Sequence, residues 1–220
     1  MKNKILLFVL VIFGFAGQAQ RYGKSYNQFS IEAAYGISIP LNYVSSNNSA
    51  GNYISTTHFD VGLRYMFTKE LGVKGEMSFD NYDGDDDYGM KTTRLDAQVY
   101  YNLGQSMGLV YATNETVGML AHTGFGVSFN KSSFFGSAEH TGNFIIGLTP
   151  IFKITDKIAL STDFSYGLNF KQHVYYDGVP FNKPPEMYSS PLVYKNAGQF
   201  NITIGAIFYL GSERNHADWY

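Results

Sequence analysis

His58 and Asp60 stand two residues apart in a chain of 220 residues with five histidines and no cysteine. In extended backbone, side chains two apart point to the same face. The pair could therefore act as a general base and its orienting carboxylate, as in hydrolases that activate a nucleophile. No serine is placed by its spacing as the third member, because serines occur in every loop. His58 is read as a histidine satisfied inside the fold, and so is His122, on the glycine-lined face of the segment from Val117 to Phe129. His140 and His173 fall in separate loops without metal-ligand spacing. Asp83, Asp85, Asp86 and Asp87 surround Gly84 but lack the D-x-D-x-D-G spacing of a calcium loop. They are read as a solvated loop, and no metal or cofactor is expected.

A second set of charges recurs at alternate positions. Glu32, Asp60, Glu76, Asp96 and Asp163 share a phase with Arg64, Lys74, Arg94 and Lys153. Folding back at Lys69 places Arg64 beside Lys74, with Glu76 two residues on, and the next hairpin brings Arg94 close. The expectation is a hydrogen-bonded ion network with Glu76 between Arg64 and Arg94. Five acids against four bases is nearly balanced, which suits a plug of side chains better than a conducting path.

The elements that must position these groups are eight stretches of period-two alternation. They run from Ser30 to Ile39, His58 to Phe67, Val73 to Asp80, Thr92 to Tyr101, Val117 to Phe129, Asn143 to Ile154, Ile158 to Phe170 and Gln199 to Leu210. In the second, Phe59, Val61, Leu63, Tyr65 and Phe67 form one face, and Asp60, Gly62, Arg64 and Met66 the other. Such a strand meets an apolar medium on one side only. Pro40 is expected to end the first strand, Pro150 to make a bulge or bend, and the segment from Asn102 to Glu115 to hold a short helical turn. Long polar loops follow strands 1, 3, 5 and 7, whereas Thr68-Lys69-Glu70 and Thr155-Asp156-Lys157 are tight turns. The predicted fold is all-β: an eight-stranded antiparallel up-and-down transmembrane β-barrel with both termini periplasmic. A soluble lipocalin-like barrel also alternates, but its bulky residues would point inward, where this sequence offers glycine on the opposite face.

Targeting and composition agree. Lys2 and Lys4, the apolar run from Ile5 to Phe15 and Gly17-Gln18-Ala19 form an export signal over residues 1–19. The expected organisation is a barrel over 20–211 and a periplasmic tail over 212–220. Aromatic residues make up 17% and charged residues only 15%, as lipid-facing and lumen-facing positions in alternation require. Of 16 Lys and Arg, the two in the signal leave 14 against 18 Asp and Glu, so the basic stripe needed for nucleic acid is absent.

In the last strand, Thr203-x-Gly205-x-x-Phe208-x-Leu210 matches the polar-x-Gly-x-x-aromatic-x-hydrophobic signal read by the barrel assembly machinery. The stretch Phe208-Tyr209-Leu210-Gly211, followed by His216-Ala217-Asp218-Trp219-Tyr220, resembles the barrel-to-linker junction of OmpA-family proteins. So does Gly118-Met119-Leu120-Ala121-His122-Thr123-Gly124. That family usually continues into a peptidoglycan-binding domain, which this sequence lacks after Tyr220. The resemblance therefore implies a non-enzymatic outer-membrane barrel of a Gram-negative bacterium with a structural or binding role. The tail, through His216, Asp218, Trp219 and Tyr220, is the expected docking element for periplasmic partners. The other expected partners are outer-membrane lipid, lipopolysaccharide, with which the acidic loop would share divalent ions, and the assembly machinery during insertion. Membership of a multi-protein outer-membrane machine for export, uptake or barrel assembly is the alternative. A surface lipid- or peptide-modifying enzyme built on His58 and Asp60 is a third reading.

Overall fold

A computed structural model describes residues 26–41, 54–83, 89–133, 138–181 and 193–220. The export signal and Asp85, Asp86 and Asp87 lie outside them. Eight antiparallel strands form one closed barrel in sequence order. They are β1 (Phe29–Leu41), β2 (Ser55–Met66), β3 (Leu71–Asp83), β4 (Gly89–Asn102), β5 (Val117–Ser132), β6 (Glu139–Lys153), β7 (Ile158–Gln172) and β8 (Lys195–Leu210). The last strand closes on the first, with Phe29 opposite Leu210 and Tyr35 opposite Ile204. The end where β1 starts and β8 finishes is called the near mouth, and the opposite end the far mouth.

The alternation sorts the residues as the sequence implies. Along β4, Met90, Thr92, Arg94, Asp96, Gln98 and Tyr100 are buried inside, while Leu95, Val99 and Tyr101 are exposed outside. The outer belt is apolar and solvent-accessible all round, and the interior is polar. This inverts a soluble barrel, so the lipocalin-like reading does not hold. No helix among the described residues is long and apolar enough to cross a membrane, which says nothing of a span built from strands.

Two tight turns use one device. The Thr68 hydroxyl accepts from the backbone N–H of Glu70 and Leu71, and the Thr155 hydroxyl from that of Lys157. The third near-mouth connection folds as two short helices, α1 (Leu103–Ser106) and α2 (Leu109–Ala112). The Asn102 side chain caps α1 by accepting from the N–H of Gln105.

The strands are longer than their alternation suggested, and Pro40 does not end the first. Pro40 stays in β1, opposite Gln199, at a level where β2 no longer pairs with β1. A missing donor costs little where only one side is hydrogen-bonded. Pro150 makes no bulge. It pairs with Met119 on β5, and the β6–β7 ladder omits Thr149 and Pro150 but resumes in the same register. Losing one donor opened a gap in the ladder without adding a residue.

Candidate functional site: a charged lumen and its two mouths

The near mouth is filled by the last residues of the chain. Beyond β8, Gly211 adopts φ +127°, a conformation L side chains rarely take, and turns the backbone off the barrel wall. Asn27 then clasps the tail: its N–H donates to the Asn215 carbonyl, its side-chain amide donates to the Glu213 carbonyl, and the Ala217 N–H donates to the Asn27 carbonyl. A single 3-10 turn, Ala217–Trp219, enters the barrel. There the Arg64 guanidinium donates two parallel bonds of 2.7 Å to the Asp218 carboxylate. Tyr209 donates its hydroxyl to the same carboxylate at 3.1 Å and accepts the Trp219 indole N–H at 2.9 Å. Trp219, 1% exposed, packs with Tyr100, Val110, Leu120, Ile151, Ala159 and Ile207. Gly118 makes the room, since a Cβ there would lie 2.8 Å from Ile151 and 3.3 Å from Trp219. Burial alone would push the Asp218 carboxyl up, but Arg64 and then His216 hold it well below the usual carboxylate range.

Above this layer the charges join in a chain. Arg64 Nε donates to Glu32 at 2.6 Å; Lys74 bridges Glu32 at 3.0 Å and Glu76 at 2.5 Å. Arg94 pairs with Asp96 at 2.8 Å and donates to Ser78. His122 pairs with Asp163 at 2.9 Å, and Thr149 donates to the same oxygen. His58 lies between Asp80, 2.7 Å from Nδ1, and Asp60, 3.0 Å from Nε2. Both ring nitrogens are engaged by carboxyl groups, so neither is free to face a substrate. A cavity of about 30 Å³, room for one or two waters, remains between Glu32, His58, Asp60, Glu76, His122 and Asp163.

The far mouth is covered by the chain leaving β7. Residues 174–180 form a small hairpin, with Val174 bridged to Pro180, that turns in over the opening. Tyr176 and Val174 pack with Tyr82, Met90 and Ala197. Tyr82 and Tyr176 both donate to Gln199, and the Ser132 hydroxyl donates to the carbonyl of Gly178 at 2.5 Å.

Three sequence expectations change here. Glu76 does not sit between Arg64 and Arg94. Arg64 is opposite Lys74, as expected, but Arg94 falls opposite Ser78 and Asp96 opposite Glu76, a two-residue offset. Glu76 is left to Lys74 and to the amide of Gln98, while Asp218 takes the outer face of Arg64. Lys153 is not in the lumen network: it sits on the near rim, 3.1 Å from Glu115 and 3.3 Å from Asp156. The interior is also not balanced. Asp80 and Asp218 join Glu32, Asp60, Glu76, Asp96 and Asp163, against Arg64, Lys74 and Arg94 and the imidazoles of His58, His122 and His216.

The tail residues occupy a different place from the one expected. His216, Asp218 and Trp219 are buried in the near mouth, which leaves Tyr220 as the accessible member, its ring tilted against Tyr26 at 5.3 Å and under the Lys69 ammonium. Of the strand-8 motif, Thr203 and Gly205 face inward while Phe208 and Leu210 face outward. The residues missed by the sequence reading are Tyr100 and Tyr209, which grip Lys74 and Asp218. Their signal was present: both are bulky aromatics on the polar phase of their strands.

With this geometry in view, the chain can be set beside known proteins. No family profile and no curated protein matches the sequence. Among solved structures, Neisserial surface protein A aligns over 83% of this chain and 97% of its own, with TM-score 0.54 and 11% identity. A major outer membrane protein from Thermus thermophilus aligns over 84% of this chain and 99% of its own, with TM-score 0.55 and 12% identity. The fold is that of the small outer-membrane barrels. At such identities the likeness extends to the fold alone, and the OmpA-like resemblance of the last strand holds at that level.

Proposed function

We propose that this chain is a closed, non-conducting barrel of the bacterial outer membrane with a structural or binding role. One observation carries the reading: the lumen is crossed by buried ion pairs and covered at both mouths, by Trp219 at one and Tyr176 at the other. An eight-stranded barrel is just wide enough for side chains to fill it. A cavity of about 30 Å³ among the described residues holds one or two waters. Residues 1–19 act as a removed export signal, and the tight turns and the tail lie in the periplasm with the longer loops outside. Thr203, Gly205, Phe208 and Leu210 present the last strand to the assembly machinery. Planar-bilayer recording of the refolded protein tests the closed lumen. The expected trace has no stable conductance steps, and a large steady conductance overturns the reading.

A second reading, an accessory subunit of an outer-membrane machine, is favoured by one feature of the near rim. The helical connection exposes two apolar side chains, Met107 (77%) and Tyr111 (91%). Exposed apolar groups standing off the barrel wall suit a protein contact. Affinity purification in mild detergent decides it: stoichiometric partners lost on Tyr111→Ser support the subunit, and a lone monomer rejects it. An enzyme built on His58 and Asp60 is disfavoured by the two carboxylates that hold the imidazole.

A further inference from the structure

In an up-and-down barrel the chain joins every neighbouring pair of strands except the first and the last. At the near mouth, Thr68-Lys69-Glu70 joins β2 to β3, the two helices join β4 to β5, and Thr155-Asp156-Lys157 joins β6 to β7. No covalent connection joins β8 to β1. Their ladder holds partners as distant in sequence as Phe29 and Leu210 by hydrogen bonds alone. This is the seam at which the barrel closes, and two strands can part there without any loop being stretched.

The tail beyond β8 supplies the missing connection non-covalently. Gly211 brings the backbone against Asn27, two residues before β1, so closely that a Cβ at Gly211 would collide with the Asn27 side chain. Four hydrogen bonds then cross from one end of the chain to the other. Asn27 donates its backbone N–H to Asn215 at 2.8 Å and its amide to the Glu213 carbonyl at 2.6 Å. Its carbonyl accepts from the Ala217 N–H at 2.9 Å, and its Oδ1 from the Glu213 N–H at 3.0 Å. The neighbouring turn adds Lys157, whose ammonium donates to the carbonyls of Gly211 and Glu213 at 2.8 and 2.6 Å. Next to Asn27, the Gln28 amide donates to the Met66 carbonyl at 2.7 Å and ties the clasp to β2.

The inner half of the tail is received by groups from all round the mouth. Arg64 on β2 and Asn102 at the end of β4 hold Asp218, and Gln105 on α1 donates to the Tyr220 carbonyl. Leu120, Ile151 and Ala159, on β5, β6 and β7, surround Trp219. These residues meet only once the barrel has closed, so docking follows closure. Interactions made after the folding transition state slow unfolding and leave the folding rate nearly unchanged.

We propose that the tail is a latch on the closing seam. It ties the end of β8 to the segment before β1, and it leaves the mouth before those two strands part. A plug would protect the whole rim alike, whereas a latch protects one seam.

The test uses the full chain refolded in detergent micelles, with unfolding in urea followed by heat-dependent gel mobility and amide exchange read by mass spectrometry. Asn27→Ala, which removes two of the four bonds, is expected to unfold about tenfold faster. Its refolding rate should stay within about twofold of wild type. Deuterium uptake should rise at the near ends of β1 and β8, from Phe29 to Tyr35 and from Ile204 to Leu210, and stay level where β4 meets β5 at the same mouth. Should Asn27→Ala not refold, Lys157→Gln on its surface turn serves the same comparison. An unchanged unfolding rate overturns the latch. So does refolding slowed by the same factor, which would put the tail in the folding nucleus, and so does uptake rising equally between β4 and β5, the mark of a plug.

Discussion

Substituting Asp218 by asparagine keeps the shape of the tail and removes the charge that Arg64 grips. Arg64 is 0% exposed and loses one of two carboxylate partners, keeping Glu32. Removing one partner of a buried ion pair costs roughly 3–5 kcal/mol, because the other charge stays desolvated. Asparagine still accepts one bond from Tyr209 or Arg64, so the low end, about 3 kcal/mol, applies. That shifts the balance between docked and released tail by about a hundredfold. The chain has one tryptophan, Trp219, which reports directly on docking. Wild-type emission is expected to be blue-shifted and shielded from acrylamide; Asp218→Asn should be red-shifted and quenched, with the barrel still closed by gel mobility. The paired variant Arg64→Met/Asp218→Leu removes both charges together and should recover much of the loss. Unchanged quenching in Asp218→Asn, or a coupling below about 1 kcal/mol in the double-mutant cycle, would refute the claim that this ion pair holds the tail in the mouth.

Other outcomes follow from the same geometry. The docked Asp218 carboxyl stays ionised to lower pH than the ordinary value of about 3.9 in a released tail. Its stabilisation is therefore complete above that pH and declines as pH falls below it; acrylamide quenching of Trp219 should rise below about pH 4 in wild type and lack that transition in Asp218→Asn. Gly118→Leu, placing a side chain against Ile151 and Trp219, should expel the indole at any pH, seen as a permanent red shift. His58→Ala leaves Asp60 and Asp80 facing one another without the imidazole, and urea unfolding in micelles should show a loss of about 3–5 kcal/mol. Ile146→Arg, in the middle of β6 and 49% exposed on the outer belt, should cost about 2–4 kcal/mol on folding into vesicles.

The fold was legible because alternation is a local property: each strand states its own inner and outer face. Pairing is not local. Arg64 could be placed beside Lys74 because Thr68-Lys69-Glu70 fixes their turn, whereas Arg94 follows a long acidic loop and fell two residues from its expected partner. The tail was harder still. Nothing in His216 to Tyr220 shows that Asp218 meets a guanidinium 154 positions away, since the contact depends on Gly211 turning the chain and on Gly118 leaving room. Tyr100 and Tyr209 could have warned of it. A bulky ring on the lumen side of a narrow barrel must lie against something, and here it lies against Trp219.

An inverted barrel also has to protect its polar interior from water, and this one does so with two small apolar layers. The Trp219 cluster and the Tyr176 cluster lie at opposite mouths, and the ion pairs lie between them. Coulombic attraction strengthens as the effective dielectric falls, so each layer raises the hold of the charges behind it. Polar groups in turn anchor the layers, the charged Arg64 through Asp218 at one end and the neutral amide of Gln199 through Tyr82 and Tyr176 at the other. Loosening one mouth admits water to the network and weakens its grip on the other.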